Sequence, residues 1–107
     1  MHKPIVTASR NRVYVAFNED LKNKQVFLVT SDNGGTSFGD IVQVSAADPA
    51  KGRAHSPAMV IDPDQTLHIV WIDSSILGSD EGLLYYTTSN NGTRFNSKKP
   101  IYAFLQN

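Results

Sequence analysis

Short apolar runs separated by polar corners set the pattern of this chain, and none of them has helical spacing. Pro4 to Ala8 and Val13 to Phe17 each read as a strand, joined by the polar corner Ser9 to Arg12. Val26 to Thr30 and Ile41 to Val44 follow as a third and a fourth. The same pattern then returns as Pro57 to Ile61, Leu67 to Trp71, Leu83 to Thr87 and Lys99 to Phe104. Val13, Val15 and Phe17 match Leu67, Ile69 and Trp71 at an offset of 54 residues. The alternate positions Tyr14, Ala16, His68 and Val70 are not uniformly polar, so both faces of these strands need cover. Pro100 assigns the last strand to a sheet edge, because proline has no N–H to give to a second neighbour.

Each third strand runs into a polar corner. In SDNGGTSF, Ser31, Asn33, Gly35 and Phe38 hold the first, third, fifth and eighth places. In TSNNGTRF, Thr88, Asn90, Gly92 and Phe95 hold the same places 57 residues later. Asparagine folds its amide onto nearby backbone N–H groups, glycine supplies a positive φ, and the hydroxyls of Ser31 and Thr88 serve the same turn. Phe38 and Phe95 then give each corner an apolar anchor, worth roughly 1.5–3 kcal/mol when fully buried.

This spacing resembles the Asp-box, or BNR repeat, of sialidases and related β-propellers. Asn stands where that family more often has Asp, and Phe where it often has Trp. The resemblance implies an all-β fold of two four-stranded antiparallel propeller blades. Residues 1–50 form the first, with its box at 31–38, and residues 51–107 the second, with its box at 88–95. Propellers of this family close six blades around an axis. Two blades alone leave an apolar sheet face bare at each end, more than the few hundred Å² that soluble monomers usually show. The expectation is therefore either self-association, with three chains closing a six-bladed ring through head-to-tail contacts, or membership of a longer propeller.

Composition narrows the chemistry. A chain of 107 residues with 40% apolar residues reads as one globular unit. Ten basic and ten acidic residues cancel, five against five in each half, which argues against a nucleic-acid partner. The sequence carries no apolar run of membrane-spanning length, and MHKPIV has no apolar centre of the signal-peptide kind. No membrane partner is expected, and the compartment stays open, although the resembled family is often secreted. The absence of cysteine excludes disulfides, thiolate zinc sites and cysteine nucleophiles. His2, His55 and His68 lack ligand spacing, and Asp32 to Gly35 lacks the further carboxylates of a calcium loop, so neither a metal nor a cofactor is expected. Asn91 to Thr93 matches a glycosylation sequon, for which turn chemistry is sufficient explanation.

In a four-stranded meander the corners 31–38 and 88–95 share one end with the first hairpin turns. The opposite end, where propellers of the resembled family usually bind ligands, receives residues 18–23, 48–55 and 73–81. The ligand-binding candidates are therefore Glu19, Asp20, Arg53, His55, Asp73, Asp80 and Glu81. A sialidase would need three arginines on the substrate carboxylate, a tyrosine nucleophile paired with a glutamate, and an aspartate as acid and base. Only Arg53 lies at that end; Arg10, Arg12 and Arg94 sit with the corners, and Tyr14, Tyr85, Tyr86 and Tyr102 fall inside strands. The Arg-Ile-Pro motif of sialidases is missing too, and no catalytic residue is assigned. The resulting expectation is a non-catalytic binding or scaffold module that takes a carbohydrate or other small acidic ligand. In a closed ring the Arg53 side chains would converge, with His55 nearby and Asp73 as counter-charge. The alternatives are a fragment of a sialidase-like exo-glycosidase and a purely structural repeat.

Overall fold

The computed structural model describes residues 2–76 and 81–105, and among the described residues every regular element is a β-strand. The strands are β1 (His2–Ser9), β2 (Arg12–Glu19), β3 (Gln25–Ser31) and β4 (Val42–Gln43), then β5 (Ala54–Ile61), β6 (Leu67–Asp73), β7 (Glu81–Ser89) and β8 (Lys99–Leu105). They form two four-stranded antiparallel sheets, in the order β1-β2-β3-β4 and β5-β6-β7-β8. Each sheet is a meander in which sequence neighbours are spatial neighbours, as all eight apolar runs imply. Pro100 lies in the edge strand β8, beside a register irregularity at Leu84 and Tyr85.

One strand is shorter than its sequence promises. The run Ile41 to Val44 keeps only Val42 and Gln43 in the ladder; the Val44 N–H still donates to the Val26 carbonyl, and from Ser45 on side chains take over the pairing. The Ser45 hydroxyl accepts from the Val26 N–H at 2.9 Å and donates to Gln25 Oε1 at 2.6 Å. Gln25 in turn accepts from the Ala47 N–H and donates to the Ala47 carbonyl. A buried glutamine thus replaces a stretch of strand and leads the chain across to the second sheet.

The two sheets stack with unlike faces together. In β2 the buried set is Tyr14, Ala16 and Asn18, while Val13, Val15 and Phe17 are half-buried. In β6 the buried set is Leu67, Ile69, Trp71 and Asp73, while His68, Val70 and Ile72 are half-buried. Cross-strand pairing makes the equivalence explicit, since Val13 faces Ser31 in the first sheet as Leu67 faces Ser89 in the second. Even the aromatic pairs repeat: Phe17 stacks on Phe27 at 5.7 Å between centroids, and Trp71 on Tyr85 at 5.8 Å. Of two residues that correspond in sequence, one therefore lies in the contact and the other on an open face. The core consists of Tyr14, Ala16, Val26 and Leu28 from the first sheet against Leu67, Ile69 and Trp71 from the second, with β5 lying against β1, β2 and β3.

Candidate functional site

The two polar corners close by one chemistry in two lengths. In the first, Ser31 Oγ accepts from the N–H of Asn33 at 3.3 Å and of Gly35 at 2.9 Å, and donates to Asn33 Oδ1 at 2.8 Å. Asn33 Oδ1 also accepts from the Ser37 N–H at 2.9 Å. In the second, those parts are played by Ser89 and Asn91. Ser89 Oγ accepts from the N–H of Asn91 and of Gly92, and Asn91 Oδ1 accepts from the N–H of Thr93 and of Arg94. The places assigned to Thr88 and Asn90 are thus one residue early. Thr88 Oγ1 instead accepts from Asn96 Nδ2, and Asn90 Oδ1 from the Thr66 hydroxyl. The physical reason is a loop shorter by one residue: Gly92, with φ of 77°, does the work of Gly34 and Gly35, with φ of 72° and 92°. The apolar anchors also differ, for Phe95 packs against the core while Phe38 is 45% exposed.

This end of the molecule is interlocked. A β-carbon on Gly92 would lie 2.2 Å from Thr30 Oγ1 and 2.7 Å from Tyr14 Cε1, so only glycine lets the second corner seat on the first sheet. Arg12 binds both corners, through Nη1 to the Asn90 carbonyl at 2.8 Å and Nε to Asp32 at 3.0 Å. The Tyr14 hydroxyl, accepting from Arg12, helps to hold that guanidinium protonated above its ordinary value. Gln65 adds a bond to the Ser9 hydroxyl across the sheets.

The opposite end brings three loops together. Asp20, Lys24, Lys51, Gly52, Arg53 and Ser74 line an open groove of about 290 Å³. Arg53 Nη1 meets Asp20 Oδ1 at 3.0 Å, and Asn18 Nδ2 donates to the same oxygen at 2.6 Å. The Arg53 backbone is fixed on both sides: its N–H donates to Ser74 Oγ, and its carbonyl accepts from the Ser74 N–H. Gly52 makes this approach sterically feasible, since a β-carbon there would lie 2.6 Å from the Ser74 carbonyl oxygen. Lys24 Nζ donates to the Pro49 carbonyl at 3.2 Å, and the Lys24 carbonyl accepts from the Ala54 N–H.

Of the loop-end candidates, Arg53 and Asp20 meet in this groove. Glu19 serves its own loop, where its carboxylate accepts from the N–H groups of Leu21, Lys22 and Asn23, chiefly the last two, and these bonds lower its pKa. His55 Nδ1 bonds to the Ser56 hydroxyl at 2.8 Å, and His55 does not line the groove. Asp73 corrects an expectation, for it is 3% exposed and accepts from the N–H and hydroxyl of Ser75 instead of facing Arg53. Asp80 and the side chain of Glu81 lie outside the described residues. Lys24, Lys51 and Ser74 were not singled out by the sequence, because loop lysines and serines look like solvated surface until the backbone brings them together.

A second polar constellation stands on the outer face of the second sheet. His68 Nε2 bonds to Asp62 Oδ2 at 2.8 Å and its Nδ1 to the Tyr86 hydroxyl at 2.7 Å, with the two rings stacked at 5.9 Å. The bond from His68, followed by one from the Thr66 N–H, lowers the pKa of Asp62. Among the described residues no three His, Cys, Asp or Glu side chains gather as a metal site. Comparison with known proteins adds no relative: no family model matches the chain, and no curated protein or solved structure is significantly similar to it.

Proposed function

We propose that the chain is a non-catalytic module of the Asp-box propeller type, binding a small anionic ligand such as an acidic sugar in the groove around Arg53. The observation that carries this reading is the charge balance of that groove. Arg53, Lys24 and Lys51 share its wall with one carboxylate, Asp20. Asp20 holds the guanidinium in place, and the Arg53 side chain keeps 44% of its surface open to solvent. A guanidinium on a fixed backbone and partly open to solvent suits a carboxylate, which such a group binds through two parallel hydrogen bonds. A scaffold role alone gives no account of a groove wall that holds Arg53, Lys24 and Lys51 against one carboxylate.

Free N-acetylneuraminate titrated against the chain by NMR tests the proposal, with galactose as the neutral control. Arg53→Ala is expected to weaken binding by roughly 10- to 100-fold, the loss of a charge-assisted pair of about 1.5–3 kcal/mol. Lys51→Ala removes a longer-range attraction and costs less, with a stronger dependence on salt. Equal titration of wild type and Arg53→Ala, or equal response to galactose, overturns the reading.

A further inference from the structure

The contact inside the chain is built from unlike faces, and each sheet carries the other half of that contact on its open side. On the first sheet Val13, Val15, Phe17, Phe27 and Val29 are half-buried, and their counterparts Leu67, Ile69 and Trp71 in the second sheet are fully covered. On the second sheet His68, Val70, Ile72, Leu84 and Tyr86 are half-buried, and their counterparts Tyr14, Ala16, Val26 and Leu28 are fully covered. The molecule thus ends in two different surfaces, one of each kind. We propose that the open face of the first sheet docks on the open face of the second sheet of another copy of this chain, repeating head to tail the contact already made within it.

Three observations favour a second copy as the occupant. The Phe17–Phe27 stack reproduces the Trp71–Tyr85 stack, whose Trp71 is buried in the existing contact with Tyr85 packed against the core, so the docking geometry is already formed on the free side. Size is exchanged across the pair of faces: Trp71 and Ala16 inside the chain correspond to Phe17 and Val70 on the free faces, the smaller ring facing the larger aliphatic. The first polar corner is also free where the second is docked. A β-carbon at Gly34 or Gly35 would meet nothing within 4 Å, whereas the corresponding Gly92 is packed on Tyr14 and Thr30. In a head-to-tail contact the first corner of one copy sits against His68 and Thr88 of the next, the counterparts of Tyr14 and Thr30. A self-complementary dimer, pairing like face with like, would leave these corners without a seat.

Light scattering after gel filtration reads the result, on the wild-type chain and on Val15→Glu and Val70→Glu, each checked by circular dichroism and thermal melting. Wild type is expected at a whole-number multiple, greater than one, of the chain mass of 11.8 kDa. Each variant alone is expected to be a folded monomer, since each has one face blocked. The equimolar mixture is expected to give a one-to-one pair, because the sound face of each meets the sound face of the other and the blocked faces stop further growth. Val29→Glu and Ile72→Glu form a second set on the same two faces, to be used where either first variant fails to fold. A monomeric wild type, an assembly that survives either variant alone, or a mixture that stays monomeric overturns the proposal.

Discussion

Phe17 and Trp71 occupy the same place in their sheets, yet one is half-open and the other 1% exposed. Each stacks on the aromatic residue opposite it in the next strand, at nearly equal distance. What separates them is the neighbour: the first sheet covers Trp71, and among the described residues no third sheet lies against Phe17. Burial in this fold is a property of the stack, while the strand supplies only a surface ready to be covered. The sharpest way to break the comparison is to delete both rings. Trp71→Ala is expected to cost about 3–5 kcal/mol, as for a ring removed from a packed core, and Phe17→Ala roughly 1–2 kcal/mol in dilute solution. Urea unfolding at low chain concentration measures both. Equal losses would show that the sheets do not stack as described.

The glycines of the two corners sharpen the same contrast at smaller scale. Gly34 and Gly92 share a left-handed φ, so alanine at either place carries about 1 kcal/mol of backbone strain. Gly92→Ala must also push aside the ring of Tyr14 and the hydroxyl of Thr30, adding roughly 1–3 kcal/mol of overpacking. Thermal melts of the two variants should therefore differ by several degrees, with Gly92→Ala the lower. Similar melting points would mean that the second corner does not seat on the first sheet.

How much of this was legible in the sequence follows from the range of each interaction. The eight strands were, because alternation and turn residues act over a few positions, and Pro100 marked its edge unaided. Burial of Tyr14 against half-exposure of Val13 was not, since both faces of β2 are apolar and only the partner sheet decides between them. At the first corner Ser31 and Asn33 close the turn but Phe38 stays exposed, and the motif spacing puts the later corner at Thr88 and Asn90 in place of Ser89 and Asn91. A repeated motif aligns by its most visible residues, Gly92 and Phe95, and a one-residue deletion upstream of them is invisible until cross-strand pairing places Leu67 opposite Ser89. At the loop end Arg53 and Asp20 were both candidates, yet their pairing depended on how residues 18–24 and 48–55 approach one another. Asp73 looked like a loop charge because it closes a strand, and its buried role on Ser75 is set by three-dimensional cover.

The smallest expected effect lies in the first hairpin turn of each sheet. In the first sheet Arg10 and Asn11 turn the chain without a carboxylate, Arg10 taking a φ of 58°. In the second, residues 62–66 are organised by Asp62, whose Oδ1 accepts from the N–H groups of Asp64 and Thr66 while Oδ2 meets His68. These bonds lower the pKa of Asp62 in the folded chain, so the unfolded chain binds the proton more readily. The stabilisation they confer is present above the ordinary carboxylate value of about 4 and is lost as pH falls through the depressed folded value. Glu19, lowered by the N–H groups of Asn23 and Lys22, acts in the same direction. Asp62→Asn should therefore flatten part of the acid limb of stability and leave the part that belongs to Glu19, which Glu19→Gln removes in turn. Urea midpoints followed from neutral pH down through the carboxylate range provide the measurement. An acid limb unchanged in Asp62→Asn would mean that the turn at 62–66 holds its shape without this carboxylate.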